Sequence, residues 1–290
     1  MSGQIHGRLA YYPGCCGARG EGRAYTRAAL ACCSRLGLEV VELKGWNCCG
    51  GPELAEECPV GSAALSVRNI ALAARLDAEI LAICPACVGV MRKGVRLIDQ
   101  QPGLAEQAAA GLAEMGLGLP GNRRVHHLIG VLAEGVEAGK LGGQVGRPLT
   151  GVPVACYYGC SRAEWASAGR GNGKAGPIET LMRRLGAEVV EWKQPEGCCE
   201  DPMSGGKHHA PEAVLTEAAQ ADAECVSVAC PRCALALQRT ALESGPQPAF
   251  FAQFVAGALG VPMGQAGLRI SKGRKRAIVR MRRKQSGAIA

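Results

Sequence analysis

Short apolar runs alternate with helix-period segments along this chain, and the alternation occurs twice. Residues 9–12, 39–43 and 80–83 read as strands in the first half, and 152–157, 188–192 and 225–229 in the second. Between them, 24–36, 63–76 and 213–224 carry the Ala/Leu/Arg composition of helices. Strand, helix, strand, helix, strand implies a parallel sheet with right-handed crossovers. The expected fold is α/β: two pseudo-repeated Rossmann-like parallel-sheet domains.

The repeat is also visible residue by residue. Leu36-Gly37-Leu38-Glu39-Val40-Val41-Glu42-Leu43-Lys44 matches Leu185-Gly186-Ala187-Glu188-Val189-Val190-Glu191-Trp192-Lys193 at seven of nine places. Five cysteines recur in the same order: Cys15, Cys48, Cys49, Cys84 and Cys87, then Cys160, Cys198, Cys199, Cys230 and Cys233. The two sets span 73 and 74 residues, which is the size of a domain and longer than a solenoid unit. Each motif cysteine falls just after an expected strand, where ligand-binding loops of parallel sheets gather. All five of a set are therefore expected at one rim.

Four segments follow: a first domain over 1–100, a helical connection over 101–150, a second domain over 151–271 and a tail over 272–290. In the connection, 104–115 and 126–137 read as helices. Lys272, Arg274, Lys275, Arg276, Arg280, Arg282, Arg283 and Lys284 equal the whole formal charge of +8, so residues 1–271 are balanced. The tail is either a solvated terminus or a docking arm for an acidic partner or anionic surface. Aromatic residues near it are too sparse to suggest nucleic-acid stacking. No apolar run approaches the ~20 residues of a membrane span, and no signal peptide precedes the first strand. A cytoplasmic protein is expected, with its thiols free of structural disulfides.

Three chemistries fit part of the cysteine pattern. Zinc commonly takes two Cys-x-x-Cys knuckles, and each half has one. A thioredoxin-like site would use Cys84-Pro85-Ala86-Cys87 or Cys230-Pro231-Arg232-Cys233 at a helix start, but needs no upstream Cys-Cys pair. An iron–sulfur site uses every element: adjacent cysteines can reach two irons, and N–H groups at the helix start can bond to sulfur. Pro85 and Pro231 suit a first helical turn. Gly50 and Gly51 would let the backbone pass close to the inorganic core.

Tyr11-Tyr12-Pro13-Gly14-Cys15, Trp46-Asn47-Cys48-Cys49-Gly50-Gly51, Cys84-Pro85-Ala86-Cys87 and Ala155-Cys156-Tyr157-Tyr158-Gly159-Cys160 strongly resemble the B subunit of heterodisulfide reductases, a double CCG-domain family. The resemblance runs over about residues 8–259. It implies that each five-cysteine set holds a noncubane 4Fe-4S cluster, two in all. In the archetype the clusters face each other across a cleft, where a disulfide is split in one-electron steps. An oxidoreductase subunit acting on sulfur groups is implied, with a flavin-containing A subunit and a ferredoxin-like C subunit as partners.

The second copy departs from that pattern, because Glu200 and Asp201 follow Cys198-Cys199 where the first copy has Gly50-Gly51. Carboxylates there are expected to lower the potential of the second cluster. The departure favours the related complex of sulfur oxidisers, in which a lipoate-binding protein carries the sulfur. The alternatives are the methanogen-type reductase and a purely electron-relaying CCG subunit of a dehydrogenase. Among the other residues, Cys32, Cys33, Cys156 and Cys225 read as small buried hydrophobes. Cys16, beside a ligand, is a lesser candidate to take the place of Cys15, and Cys58 a lesser candidate for a cluster or substrate role. Arg19, Arg23 and Arg162 are candidates for an anionic substrate group, although surface solvation explains them equally well. His208 and His209 are solvated loop residues or a proton donor, and His126 and His127 are structural.

Overall fold

The structure is a computed structural model that describes residues 7–137, 149–159, 176–193, 210–242, 244–262 and 264–266. Each half is a four-stranded parallel sheet. In the first, β1 (Arg8–Tyr12), β2 (Val40–Glu42), β3 (Ala78–Ala82) and β4 (Val125–His127) lie in the order β2-β1-β3-β4. In the second, β5 (Pro153–Tyr157), β6 (Glu188–Val189), β7 (Cys225–Val228) and β8 (Gln247–Phe250) repeat it as β6-β5-β7-β8. The central strands are apolar on both faces, as parallel strands covered by helices must be.

The helices of the first half are α1 (Gly14–Ala18), α2 (Arg23–Arg35), α3 (Gly51–Glu57), α4 (Pro59–Ala74), α5 (Pro85–Gln100), α6 (Pro102–Glu114) and α7 (Leu128–Glu137). Those described in the second are α8 (Pro177–Arg184), α9 (Pro211–Gln220), α10 (Pro231–Thr240) and α11 (Phe251–Ala258). Proline is the first residue of six of these helices, where its missing N–H leaves no carbonyl unpaired.

One expectation is corrected. The helix read from residue 126 starts at Leu128, because Val125–His127 extends alongside Ile80–Ala82 as the fourth strand. The connection thus completes the first sheet before it leaves it, and β8 does the same in the second half.

The two halves exchange their last helices. α7 packs on α8 of the second half, and α11 packs on α2 of the first. At the second crossing the Tyr25 hydroxyl donates to Gln238 Oε1 at 2.7 Å, and its ring lies 5.1 Å from that of Phe250. Beside them Cys32 Sγ donates to the Ala252 carbonyl at 3.4 Å. One continuous buried cluster therefore runs through both sheets, from Leu9 and Ile80 to Val226 and Phe254.

Candidate metal centre

β1 ends in Tyr12, and the chain then turns at Gly14 to place Cys15 and Cys16 on α1. Gly14 has φ +62°, a conformation that L side chains rarely adopt, and an added Cβ would stand 3.3 Å from Cys87 Sγ. The second half repeats this relationship. Gly159 has φ +59°, and a Cβ there would stand 3.1 Å from Cys233 Sγ. Bare backbone at these two positions lets the chain at the end of each first strand pass close to the Cys-Pro-x-Cys of its own half.

Cys84 and Cys230 are the N-caps of α5 and α10, with proline next in each. The N–H groups of the first helical turn lie on the side of these sulfurs and favour their thiolates, Cys87 acting on Cys84 and Cys233 and Arg232 on Cys230. Gly50 and Gly51, at φ +91° and +81°, aim their N–H groups at the Cys-Cys pair. Gly50 N–H donates to Cys48 Sγ at 3.4 Å. The backbone thus offers hydrogens to thiolate sulfur at both ends of the set.

Cys49, Cys84 and Cys87 are buried, whereas Cys15 and Cys48 are exposed. The thiols of Cys49 and Cys87 share a hydrogen bond at 3.4 Å, far longer than a disulfide. That bond, helped by the Gly51 N–H, lowers the Cys49 thiol to about 7. Tyr12 stands among these sulfurs. Its phenol is pushed up by burial and by Cys87, Cys49, Cys48 and Cys15 around it, and its hydroxyl donates to the Asn47 carbonyl at 3.0 Å. The Trp46 ring stands edge-on to it at 5.3 Å. Tyr157 pairs with Trp192 at 6.2 Å in the second half. The two tryptophans thus serve equivalent tyrosines although they do not align in sequence.

The two sets meet. Cys84 and Cys230 adjoin across the seam between the halves, close enough to act on each other; this raises Cys84, while Cys230 is lowered first by Cys233 and then by Cys84. Cys16 turns toward both. α1 also packs on α10, so the Arg232 guanidinium of the second half acts on Cys15 of the first. A hydrogen bond from Cys16, and then Arg232, hold the Cys15 thiol down at about 6.

The described residues of both sets suit a thiolate-bound cluster: closely grouped sulfurs, N–H donors aimed at them, and glycines where a Cβ would intrude. Among the described residues, no three such groups converge as the ligands of a single metal ion. Cys160, Cys198, Cys199, Glu200, Asp201, Arg162, His208, His209 and the basic tail lie outside the described residues.

The remaining candidates are dispersed. Cys32, Cys33 and Cys156 are buried, with burial pushing Cys33 up to about 12, and Cys225 is buried too. Cys58 is exposed at the junction of α3 and α4. Arg23 donates to the Ala18 carbonyl at 3.3 Å and so closes α1, and Arg19 is exposed. His126 pairs with Glu79 at 2.6 Å on the far side of the sheet edge. Tyr12 and Arg232 are site residues that the sequence reading does not single out; the aromatic three places before each first cysteine was the available signal for Tyr12.

Comparison with known proteins agrees with this geometry. The cysteine-rich (CCG) domain family matches residues 9–92 and again 154–238. The 8-methylmenaquinol:fumarate reductase membrane anchor subunit of Wolinella succinogenes is 28% identical over 274 residues, 90% of this chain and 95% of that protein. The B subunit of the ferredoxin/F(420)H(2)-dependent CoB-CoM heterodisulfide reductase of Methanosarcina acetivorans is 26% identical over 222 residues, 73% of this chain and 74% of that one. The crystal structure of a hypothetical protein from Helicobacter pylori shares the fold at a TM-score of 0.63 and 11% identity, covering 90% of this chain and about half (51%) of that one. With two matched copies, each built round its Cys-Pro-x-Cys, and with relatives named as B subunits of heterodisulfide reductases, the chain belongs to the cysteine-rich (CCG) domain family.

Proposed function

We propose that this protein is the iron–sulfur subunit of a heterodisulfide-reductase-like complex, carrying out disulfide or persulfide redox chemistry where its two cysteine sets adjoin. The observation that carries the reading is the Cys84–Cys230 contact, with the exposed Cys15 beside it. Cys15, Cys48, Cys49, Cys84 and Cys87 would hold one 4Fe-4S cluster of noncubane type, and Cys160, Cys198, Cys199, Cys230 and Cys233 the second. When bound, the clusters supply electrons one at a time to chemistry that needs two. The chain's own residues group the thiolates, shield Cys49, Cys84 and Cys87 from water and leave the Cys15–Cys48 side open. Glu200 and Asp201 mark a second site unlike the first, which favours the sulfur-oxidation setting with a lipoate-binding protein. Flavin-containing and ferredoxin-like subunits complete the electron path, in the cytoplasm.

A second reading is an electron-relaying subunit of a dehydrogenase. It draws on the near full-length likeness to the Wolinella succinogenes protein. That protein is named a membrane anchor; no helix among the described residues here is long and apolar enough to cross a membrane.

Anaerobic purification with iron and sulfide analysis tests the cluster assignment, with about eight irons per chain expected for two 4Fe-4S clusters. Zinc in place of iron would end it. Electron transfer from the reduced, loaded protein to a small disulfide, or uptake by the oxidised protein from a persulfide, then separates the readings: a relay alone would exchange electrons with redox dyes and leave sulfur compounds unchanged.

A further inference from the structure

β3 leads into Cys84 through Ile83, and the Ile83 carbonyl is held by a side chain from the neighbouring strand. His127 Nε2 lies 3.1 Å from that oxygen, while Nδ1 lies 3.1 Å from the Ile129 nitrogen. A backbone N–H can only donate, so Nδ1 is the acceptor and Nε2 carries the proton. The ring is buried, at 3% exposure, with the Phe251 ring 6.2 Å away. Two residues earlier on the same strand, Arg92 donates to the Val125 carbonyl from Nε at 3.0 Å and from Nη2 at 2.8 Å. Cys230 of the second half is near enough to act on the imidazole. His127 therefore sits under the place where the two sets touch.

The register of the sheets gives this residue a counterpart. Ala82, two places before Cys84, pairs with His127; Val228, two places before Cys230, pairs with Phe250. The second half thus has a phenyl ring where the first has an imidazole, and a phenyl ring has no hydrogen to donate to a carbonyl.

We propose that His127 is a positioning residue for the first cysteine set: its Nε2–H fixes the Ile83 carbonyl and so sets where Cys84 stands against Cys230. The two sites then differ within their framework as well as in the residues after each Cys-Cys pair. The proposal rests on the first set holding an iron–sulfur cluster.

Three variants test it. His127→Gln carries an amide N–H near the Nε2 position, His127→Asn is too short to do so, and His127→Phe copies the second half. The anaerobically purified, metal-containing proteins are compared by iron content, EPR spectrum and midpoint potential, with Cys49→Ser and Cys233→Ser assigning each signal to a site. His127→Gln is expected to keep the parent spectrum and potential. His127→Asn and His127→Phe are expected to shift or lose the first-site signal while the second-site signal changes less. Identical behaviour of the Gln and Asn variants overturns the proposal, and so does an equal change at both sites, the mark of a general packing defect. If His127→Phe does not fold, the Gln–Asn contrast still decides. A parent protein without iron would remove the cluster reading itself, whereas an iron-loaded parent with indifferent variants removes only this role for His127.

Discussion

Cys84 and Cys230 adjoin across the seam and each shifts the other's thiol, so the cysteine sets of the two halves share a boundary. A change at one of these sulfurs is therefore expected to register at both sites. Cys230→Ser should alter the EPR signals of both, whereas Cys233→Ser, whose sulfur lies against Gly159 in its own half, should alter mainly the second. Signals that respond independently to Cys230→Ser would contradict the shared boundary.

Gly14 and Gly159 offer a paired test. Alanine at either position must adopt a left-handed backbone, at about 1–2 kcal/mol, and would press its Cβ on Cys87 or Cys233. Gly14→Ala should deplete iron from the first site and Gly159→Ala from the second, with the fold of each retained by circular dichroism. Equal depletion of both sites by either variant would mean that the effect is not local.

Arg232 carries a charge from one half to the other. Arg232→Ala, which copies Ala86 of the first half, removes a cation beside Cys15. The first site's midpoint potential should fall by on the order of 50–100 mV, the scale of one screened charge, and Arg232→Lys should recover most of it. In metal-free protein the Cys15 thiol, held at about 6, should alkylate at a rate that is already level by pH 7. Arg232→Ala should move that plateau to higher pH.

His127 makes a prediction about acid stability. Burial, and then the charge of Arg92, lower its imidazole to about 3, below the ~6.5 of an unfolded histidine. The unfolded chain alone binds this proton between those limits, so stability falls as pH drops. The slope from this group is about 1.4 kcal/mol per pH unit. Urea unfolding at pH 7 and 5.5 should show a smaller loss for His127→Gln than for the parent, and identical losses would place the imidazole in a different environment.

The framework was legible in the sequence because its central strands are long and apolar, and because the cysteines follow them. β4 and β8 were not, since β4 carries two histidines, β8 carries Pro248, and each runs straight into a helix whose periodicity masks it. Within the two sites, the N-cap positions of Cys84 and Cys230 followed from proline chemistry. The positions of Arg232 and His127 did not, because each acts on a partner far away in the chain. Nor did the matching of Trp46 with Trp192: a shift of three residues between the copies hides it, and only packing on Tyr12 and Tyr157 restores it.

The exchanged helices α7 and α11 tie the halves together from both sides, which opposes any swing of one half away from the other. Truncating Phe251 to alanine, at about 3–5 kcal/mol, should therefore loosen the whole molecule rather than open one half. A chain bound in this way works as a fixed gauge. The separation of Cys84 and Cys230 is set once, at folding, and neither half can change it by closing on the other.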